Sequence, residues 1–455
     1  MFSINVSIQF AAFITPVIFG LLTIIASYYL GKEAANPRVG LFMAFFMAIS
    51  PAYLSRSTAG FYDNEFLGIF FVILTLYFFI KGMKKGRTAS AFLAGISLAV
   101  LMGSWGAYRY VLNLLPLGTL ILVFTGKLTY RLLKTYTITI TTAVSIGFIV
   151  PRVLNNKFVS IDVIIPVFMI GFLIMVGIIQ NLSRSLDEQL FRQLIIGSAT
   201  VIIVLLVGIT GLFLSLGVFS NIAEKFWAVI LPGGRVNIPI ISSVSEHQPM
   251  TWSQLFTNIH IMAFLIPLGI YYLLKKPTDV NVFLIVYGVT TIYFSGSMVR
   301  LVLLLAPAAA LLSAIAIDRL LYAYALSAHG KIALTKRKIR VAKSIGRDEA
   351  ILAYLVIFGL LLGFSIHSVK MANQLSQIEM QPVFFQNGVP STDWQEALLW
   401  LRENAANSEG IIQGSPSVVL SWWDYGYWIT NYGNATTLVD NATTNKTQIG
   451  VVGTM

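Results

Sequence analysis

The chain contains no cysteine. That excludes a disulfide framework and any thiolate metal site. Charge is scarce as well: 11% of the 455 residues are Asp, Glu, Lys or Arg, where a soluble domain carries about a quarter. What fills the chain instead is apolar, with 56% hydrophobic residues. These residues fall into long blocks of bilayer-spanning length, without the alternation of a strand or the one-sided stripe of a surface helix. Such blocks leave no polar face, so a large soluble core is excluded. The sequence describes an α-helical polytopic membrane protein embedded in a lipid bilayer. No repeat of fixed period is visible. The first apolar block is long and follows no positively charged stretch, so no cleavable signal peptide is expected.

The net charge is +12. In a soluble protein this would point to nucleic acid. Here the excess has a simpler source, the Lys and Arg that membrane proteins keep in cytoplasmic loops, and no nucleic-acid partner is expected. Twelve spans are predicted, near 8–30, 39–55, 66–82, 90–106, 108–125, 136–151, 161–179, 194–218, 257–274, 280–297, 300–322 and 351–371. If the first runs inward, the cytoplasmic loops hold Lys32 and Arg38, then Lys81, Lys84, Lys85 and Arg87, then Lys127, Arg131 and Lys134. Arg184, Arg192, Lys275, Lys276 and the basic run from Lys331 to Arg347 follow, with Arg319 at a span end. About 21 of the 31 basic residues are then inside, as the charge bias requires. The outer side receives residues 56–65, the loop from about 219 to 256, and everything after about 372. Residues 1–371 form the membrane domain. Residues 372–455, with prolines, acids and short apolar runs, read as the start of an extracytoplasmic α/β domain.

The polar residues that could carry chemistry collect on that outer side. Asp63 and Glu65 lie in the turn Gly60-Phe61-Tyr62-Asp63-Asn64-Glu65. In extended backbone they would share a face and could hold a hard cation such as Mg²⁺ or Mn²⁺, although acidic turn residues are more often simply solvated. Glu246 is a third outer carboxylate. Arg300, between two apolar runs, is either a functional intramembrane cation able to grip a phosphate or a snorkelling residue at a span end. Arg109, among aromatics, reads as snorkelling. Ser421-Trp422-Trp423-Asp424-Tyr425-Gly426-Tyr427 is the sharpest signal. Two indoles beside a carboxylate suit a small site that hydrogen-bonds a hydroxyl and rejects a partner lacking one.

Trp422-Trp423-Asp424-Tyr425-Gly426 matches the signature pentapeptide of the catalytic subunit of asparagine-linked oligosaccharyltransferase. The run Ser55-Arg56-Ser57-Thr58-Ala59-Gly60, continuing to Asp63-Asn64-Glu65, resembles that family's second acidic motif. Ser243-Val244-Ser245-Glu246 resembles the acidic motif of its long external loop, and Arg300-Leu301 with Ala306-Pro307 resembles its lipid-diphosphate arginine region. The resemblance implies a GT-C type membrane fold of thirteen spans. It implies transfer of a preassembled oligosaccharide from a polyprenyl phosphate or diphosphate to the Asn amide of Asn-X-Ser/Thr acceptor polypeptides, with accessory subunits in some members. Asp63 and Glu65 would bind the cation, Glu246 the acceptor amide, Arg300 the lipid-linked phosphate. Trp422, Trp423 and Asp424 would hold the sequon hydroxyl, within the turn that Tyr425 and Gly426 complete.

Three departures accompany the resemblance. The family's first span and its aspartate-bearing external loop have no counterpart before residue 8. A later motif of the soluble domain should follow Met455. Trp428 stands where many members have a polar residue. A chain truncated at both ends, and inactive alone, is therefore expected. Alternatives are a polytopic transporter, another GT-C glycosyltransferase and a non-catalytic family member. The first lacks duplicated halves, the second should lack the pentapeptide, and the third conflicts with the retained Asp63, Glu65 and Glu246. Asn434, Asn441 and Asn445 each open a sequon of the chain's own. They read equally as glycosylation sites or as chance in an Asn- and Thr-rich loop. The absence of cysteine and a self-contained subunit favour an archaeal plasma membrane, with the endoplasmic reticulum as alternative.

Overall fold

In the computed structural model the described residues are 7–150, 161–182, 244–328, 347–376, 384–386, 389–391, 393–404, 418–443 and 445–455, with isolated positions between 189 and 208. The chain divides into two compact units, Met1–Ala372 and Asn373–Met455.

The first unit is helical. Its elements are α1 (Ile8–Ala34), α2 (Pro37–Ile49), α3 (Pro51–Ser57), α4 (Glu65–Lys85), α5 (Thr88–Ser104), α6 (Tyr108–Phe124), α7 (Tyr130–Gly147) and α8 (Ile161–Leu182). After a 3₁₀ turn, Ser245–His247, come α9 (Trp252–Ile259), α10 (Met262–Leu274), α11 (Asp279–Ser297), α12 (Val302–Ala328) and α13 (Arg347–Ser376). Helices lie at eleven of the twelve expected spans; the remaining one, 194–218, is outside the described residues. Among those residues six helices are long and apolar enough to cross a membrane, or eight if each of two bent pairs counts as one span. The chain is thus a multi-pass membrane protein.

Two expected spans are broken, and each break has a local cause. The 39–55 segment bends 61° between α2 and α3. Pro51 lacks the N–H that would continue the helix and holds Ser50 extended, at φ −72° and ψ 114°. The 257–274 segment bends 81° between α9 and α10, where His260 has φ 44°.

Helix α12 is the axis of the unit, with 94% of its apolar window buried against 11% for α13. Its Ala306-Pro307-Ala308-Ala309-Ala310 run keeps the surface shallow, so neighbours approach closely by packing alone. Gly269 of α10 shows how closely: a Cβ there would stand 2.3 Å from the Leu312 carbonyl oxygen.

The two ends of the bundle gather the two sets of loops that charge separates in the sequence. At one end Arg38 Nε donates to Asp318 Oδ1 at 2.7 Å and Asn36 Nδ2 to Asp318 Oδ2 at 2.9 Å. Lys85 pairs with Glu33 at 3.0 Å, and Arg131 donates to the Lys84 carbonyl at 3.0 Å. All four of these basic residues belong to the set read as cytoplasmic. Arg109 lies over the Tyr108 ring, 5.0 Å from its centre, the aromatic company expected of an interfacial arginine.

The second unit holds a hairpin, β1 (Phe384–Gln386) with β2 (Val389–Ser391), then α14 (Asp393–Asn404), β3 (Val418–Val419), α15 (Gly426–Asn431), β4 (Thr436–Thr437) and α16 (Lys446–Thr454). Strands β3 and β4 are parallel, Val418 opposite Thr436, with α15 in the connection, as a parallel pair needs a crossover. Leu398, Ile429 and Ala435 form its small core, flanked by Trp394, Leu401, Tyr425 and Trp428.

Gly269→Leu is expected to force α10 from α12 and cost about 1–3 kcal/mol, seen as a lower melting temperature of the detergent-purified protein. Gly359→Leu, where an added Cβ meets nothing within 4 Å, should melt as the unaltered chain does.

Candidate active site

Glu65 is the first residue of α4, and its side chain is 0% exposed. Two arginines from other segments enclose it. Arg56 Nε stands 3.1 Å from Oε2, and Arg300 Nε donates to Oε1 at 3.0 Å. Arg56 also donates through Nη2 to Glu246 Oε1 at 2.6 Å, and Arg300 Nε is 3.8 Å from Glu246 Oε2. One buried and one half-exposed carboxylate therefore share two guanidinium groups. Burying a charge is tolerable only when it is paired in this way.

Local backbone explains how segments so distant in sequence meet. The bend at Pro51 redirects α3 and carries Arg56 toward the start of α4. Helix α11 ends where Met298 turns extended, at φ −151°, and the 3₁₀ turn Val299–Leu301 then presents Arg300. The Glu246 loop is stitched to this turn by two backbone hydrogen bonds, Met250 N–H to Gly296 O at 3.1 Å and Val299 N–H to Gln248 O at 3.0 Å. Glu246 and Arg300 are thus set side by side by main chain, before any side chain is considered.

Asp63 is half-buried, and its Oδ1 accepts from the Asn64 N–H at 2.6 Å. It lies near enough to act on both Arg56 and Glu65 electrostatically. The route differs from the one expected. Residues 63–65 are not an extended run with two acids on one face: Asn64 is helical, at φ −72° and ψ −7°, and Glu65 is already in the helix. A turn into a helix start lies between them. Burial pushes the Glu246 carboxyl up, but the hydrogen bond from Arg56 and the charges of Arg56 and Arg300 outweigh it. Its pKa is held below the usual carboxylate value.

Glu65 Oε2 is buried and has no aligned hydrogen bond, despite the nearby Arg56 Nε. An oxygen so placed, with Asp63 close by, suits a hard divalent cation. Among the described residues no three His, Cys, Asp or Glu side chains form a metal-holding group. Two acids alone are an incomplete set for Mg²⁺ or Mn²⁺, which would need further oxygen donors from water or phosphate.

In the second unit Trp423–Tyr425 form a 3₁₀ turn that runs into α15. The Trp422 and Trp423 rings lie 6.0 Å apart at 50°. The Trp423 indole N–H is buried without a hydrogen-bond partner, a donor aimed at nothing in the fold. The Asp424 side chain is exposed. Tyr425 packs inward on Trp394 at 4.5 Å, and Trp428 on the same ring at 5.5 Å. The aromatic character of Trp428 thus belongs to the core of this unit. Of the three local sequon residues, Asn434 is exposed at φ 48°. Asn445 caps α16, accepting from Gln448 N–H at 3.1 Å. Asn441 donates to the Asp424 carbonyl at 2.9 Å.

Sequence reasoning placed Arg56 inside a motif and gave it no role. The available signal was a basic residue seven positions before Asp63, on the side that charge counting leaves poor in Lys and Arg.

One buried and one half-exposed carboxylate, clasped by two arginines at one end of a helical bundle, and a Trp-Trp-Asp turn in a separate unit mark a class of multi-pass membrane protein with polar groups gathered at few places. A family model for oligosaccharyl transferase STT3, N-terminal, matches residues 1–313, and one for the STT3/PglB/AglB core domain matches residues 415–452. The chain belongs to the STT3 oligosaccharyl transferase family. It is 34% identical over 480 residues to the dolichyl-diphosphooligosaccharide–protein glycosyltransferase subunit stt-3 of Caenorhabditis elegans, covering 98% of this chain and 61% of that one. It is 32% identical over 472 residues to the STT3B subunit of Oryza sativa subsp. japonica, covering 99% and 64%. The chain spans about three fifths of the length of the curated relatives it matches. Its fold resembles that of the archaeal oligosaccharyltransferase AglB from Archaeoglobus fulgidus, solved with an inhibitory peptide and a dolichol-phosphate. The TM-score is 0.68 at 19% identity, over 98% of this chain and 57% of that one.

Arg56→Ala leaves Glu65 buried with one partner and should destabilise the chain by about 3 kcal/mol, read from thermal unfolding. It also removes the largest influences lowering Glu246. The contribution of a depressed carboxyl is present above its ordinary value and lost as pH falls through the depressed one. In the variant this acid-side loss is expected at higher pH, nearer neutrality, and a pH titration of stability with Glu246→Gln as reference measures it.

Proposed function

We propose that this chain carries out protein N-glycosylation: it transfers a preassembled oligosaccharide from a polyprenyl phosphate or diphosphate to the side-chain amide of Asn in Asn-X-Ser/Thr. The observation that carries this reading is the convergence of Glu65, Glu246, Arg56 and Arg300 from four segments at one end of the bundle. The family's lipid-linked donor and peptide acceptor supply its substrates.

In the reaction the amide nitrogen bonds to the anomeric carbon, the carbon–oxygen bond breaks with its electron pair leaving on the lipid phosphate, and the proton shed by the amide passes to that phosphate or to water. An amide is a poor nucleophile, so holding it in place must supply much of the acceleration. Glu246 accepts a hydrogen bond from the acceptor amide and orients its nitrogen. Arg300, whose bond to Glu65 uses Nε, offers its terminal nitrogens to the leaving phosphate. Arg56 holds Glu65 and Glu246 side by side, and its hydrogen bond and charge favour the ionised form of Glu246. Asp63 and Glu65 would hold Mn²⁺ or Mg²⁺, which supplies charge stabilisation for the departing phosphate when bound. Trp422, Trp423 and Asp424 take the hydroxyl of the +2 Ser or Thr; an acceptor without it would leave the buried Trp423 N–H unpaired. The site faces away from the cytoplasm, at an archaeal plasma membrane on the cysteine argument or at the endoplasmic reticulum lumen on the eukaryotic source of the sequence relatives.

Membranes from cells expressing the gene are incubated with a lipid-linked oligosaccharide and an Asn-X-Thr peptide. Glycopeptide is expected with the full-length gene product, with a loss of at least a hundredfold in Glu246→Gln and with Asn-X-Ala peptide. No transfer by that full-length product, or equal use of the two peptides, would overturn the reading.

A further inference from the structure

The segment after β4 is fastened to the Trp-Trp-Asp turn by one side chain. Asn441 Nδ2 donates to the Asp424 main-chain oxygen at 2.9 Å and makes a longer contact, 3.4 Å, with Asp424 Oδ1. Its Oδ1 accepts from the Tyr427 N–H at 3.0 Å. One amide thus uses both ends on the same turn, satisfying a carbonyl and an N–H at a helix start that would otherwise need water or a cap. Asn441 is itself held in place. The Asp440 carboxylate accepts from the Ala442 N–H at 2.9 Å, and the Thr443 N–H returns to the Asp440 carbonyl at 3.1 Å. Gly426 is buried against the same segment, where a Cβ would come within 2.6 Å of Asp440 Cα and 2.7 Å of Val439 O. The pentapeptide therefore has glycine where the two pieces of backbone touch.

In the sequence Asn441 reads equally as the acceptor of a local sequon or as chance. We infer that Asn441 is instead a positioning residue for acceptor recognition: its amide sets the angle and electrostatics of Asp424, and so the affinity of the turn for the sequon hydroxyl. The inference rests on the transfer reading given above. It deepens that reading by naming a residue outside the pentapeptide on which acceptor choice depends. The fixed geometry separates two roles for the side chain. If Asn441 only filled space, the isosteric Asp would substitute well and Ala badly. If it positions Asp424 by donation, Asp is the worse replacement, because it cannot donate and adds a negative charge beside a carboxylate.

The test uses membranes carrying the unaltered chain, Asn441→Ala and Asn441→Asp, with an Asn-X-Thr peptide and a lipid-linked oligosaccharide as probes. The expected result is a peptide KM raised about tenfold in Asn441→Ala, the scale of one lost hydrogen bond to a charged group. It rises further in Asn441→Asp, while donor KM and kcat at saturating peptide stay within twofold. Glycan mapping of the unaltered protein by mass spectrometry should find Asn441 unmodified, a readout that survives even if the variants fail to fold. A peptide KM unchanged in both variants, an Asp variant better than Ala, or a glycan on Asn441 overturns the inference. Absence of transfer by the unaltered chain would instead remove the transfer reading, and this inference with it.

Discussion

Everything at the outer end of the bundle depends on a carboxylate that water does not reach. Glu65 has no exposed surface, and an isolated charge in that position would cost several kcal/mol. Two arginines make it tolerable, and each must come from elsewhere: one from a helix bent at Pro51, the other from a turn that ends α11. The bend, the turn and the loop bearing Glu246 are therefore tied to one another through a single buried charge. This makes the site an arrangement the bundle is built around.

The two units divide the work by environment. In the membrane unit charges are few, and the buried carboxylates Glu65 and Asp318 are each held by arginine. In the second unit a short aromatic turn lies over a small core, where Tyr425 and Trp428 face Trp394 and leave Trp422 and Asp424 exposed. Indole and carboxylate suit recognition of a hydroxyl, and arginine and carboxylate suit control of a phosphate.

Much of this was legible in the sequence, for definite reasons. Span positions follow from apolar length, and the sorting of loops to two ends follows from Lys and Arg placement; the bonds of Arg38 and Lys85 at one end and of Arg56 and Arg300 at the other agree with that sorting. The candidate residues Glu65, Glu246 and Arg300 do meet. What was not legible is what depends on distant backbone. Hydropathy cannot show that a span breaks at Ser50 or His260. Nor can it show that a turn into a helix start separates Asp63 from Glu65, since a two-residue spacing reads as one face only if the chain is extended. Arg56 bonds Glu246, 190 positions away, as well as Glu65 within its own motif, and Asn441 bonds Asp424, 17 positions away; sequence spacing shows none of these contacts.

The clasp on Glu246 differs from the clasp on Glu65 in one respect. Glu65 is sealed, whereas the Glu246 side chain is 36% exposed, and mobile ions screen only charges they can approach. Rising ionic strength would therefore loosen the external loop from Arg56 while leaving the inner pair closed. Dissolved salt thus acts on how firmly the half-exposed acid of the pair is held, without touching the sealed one beneath it.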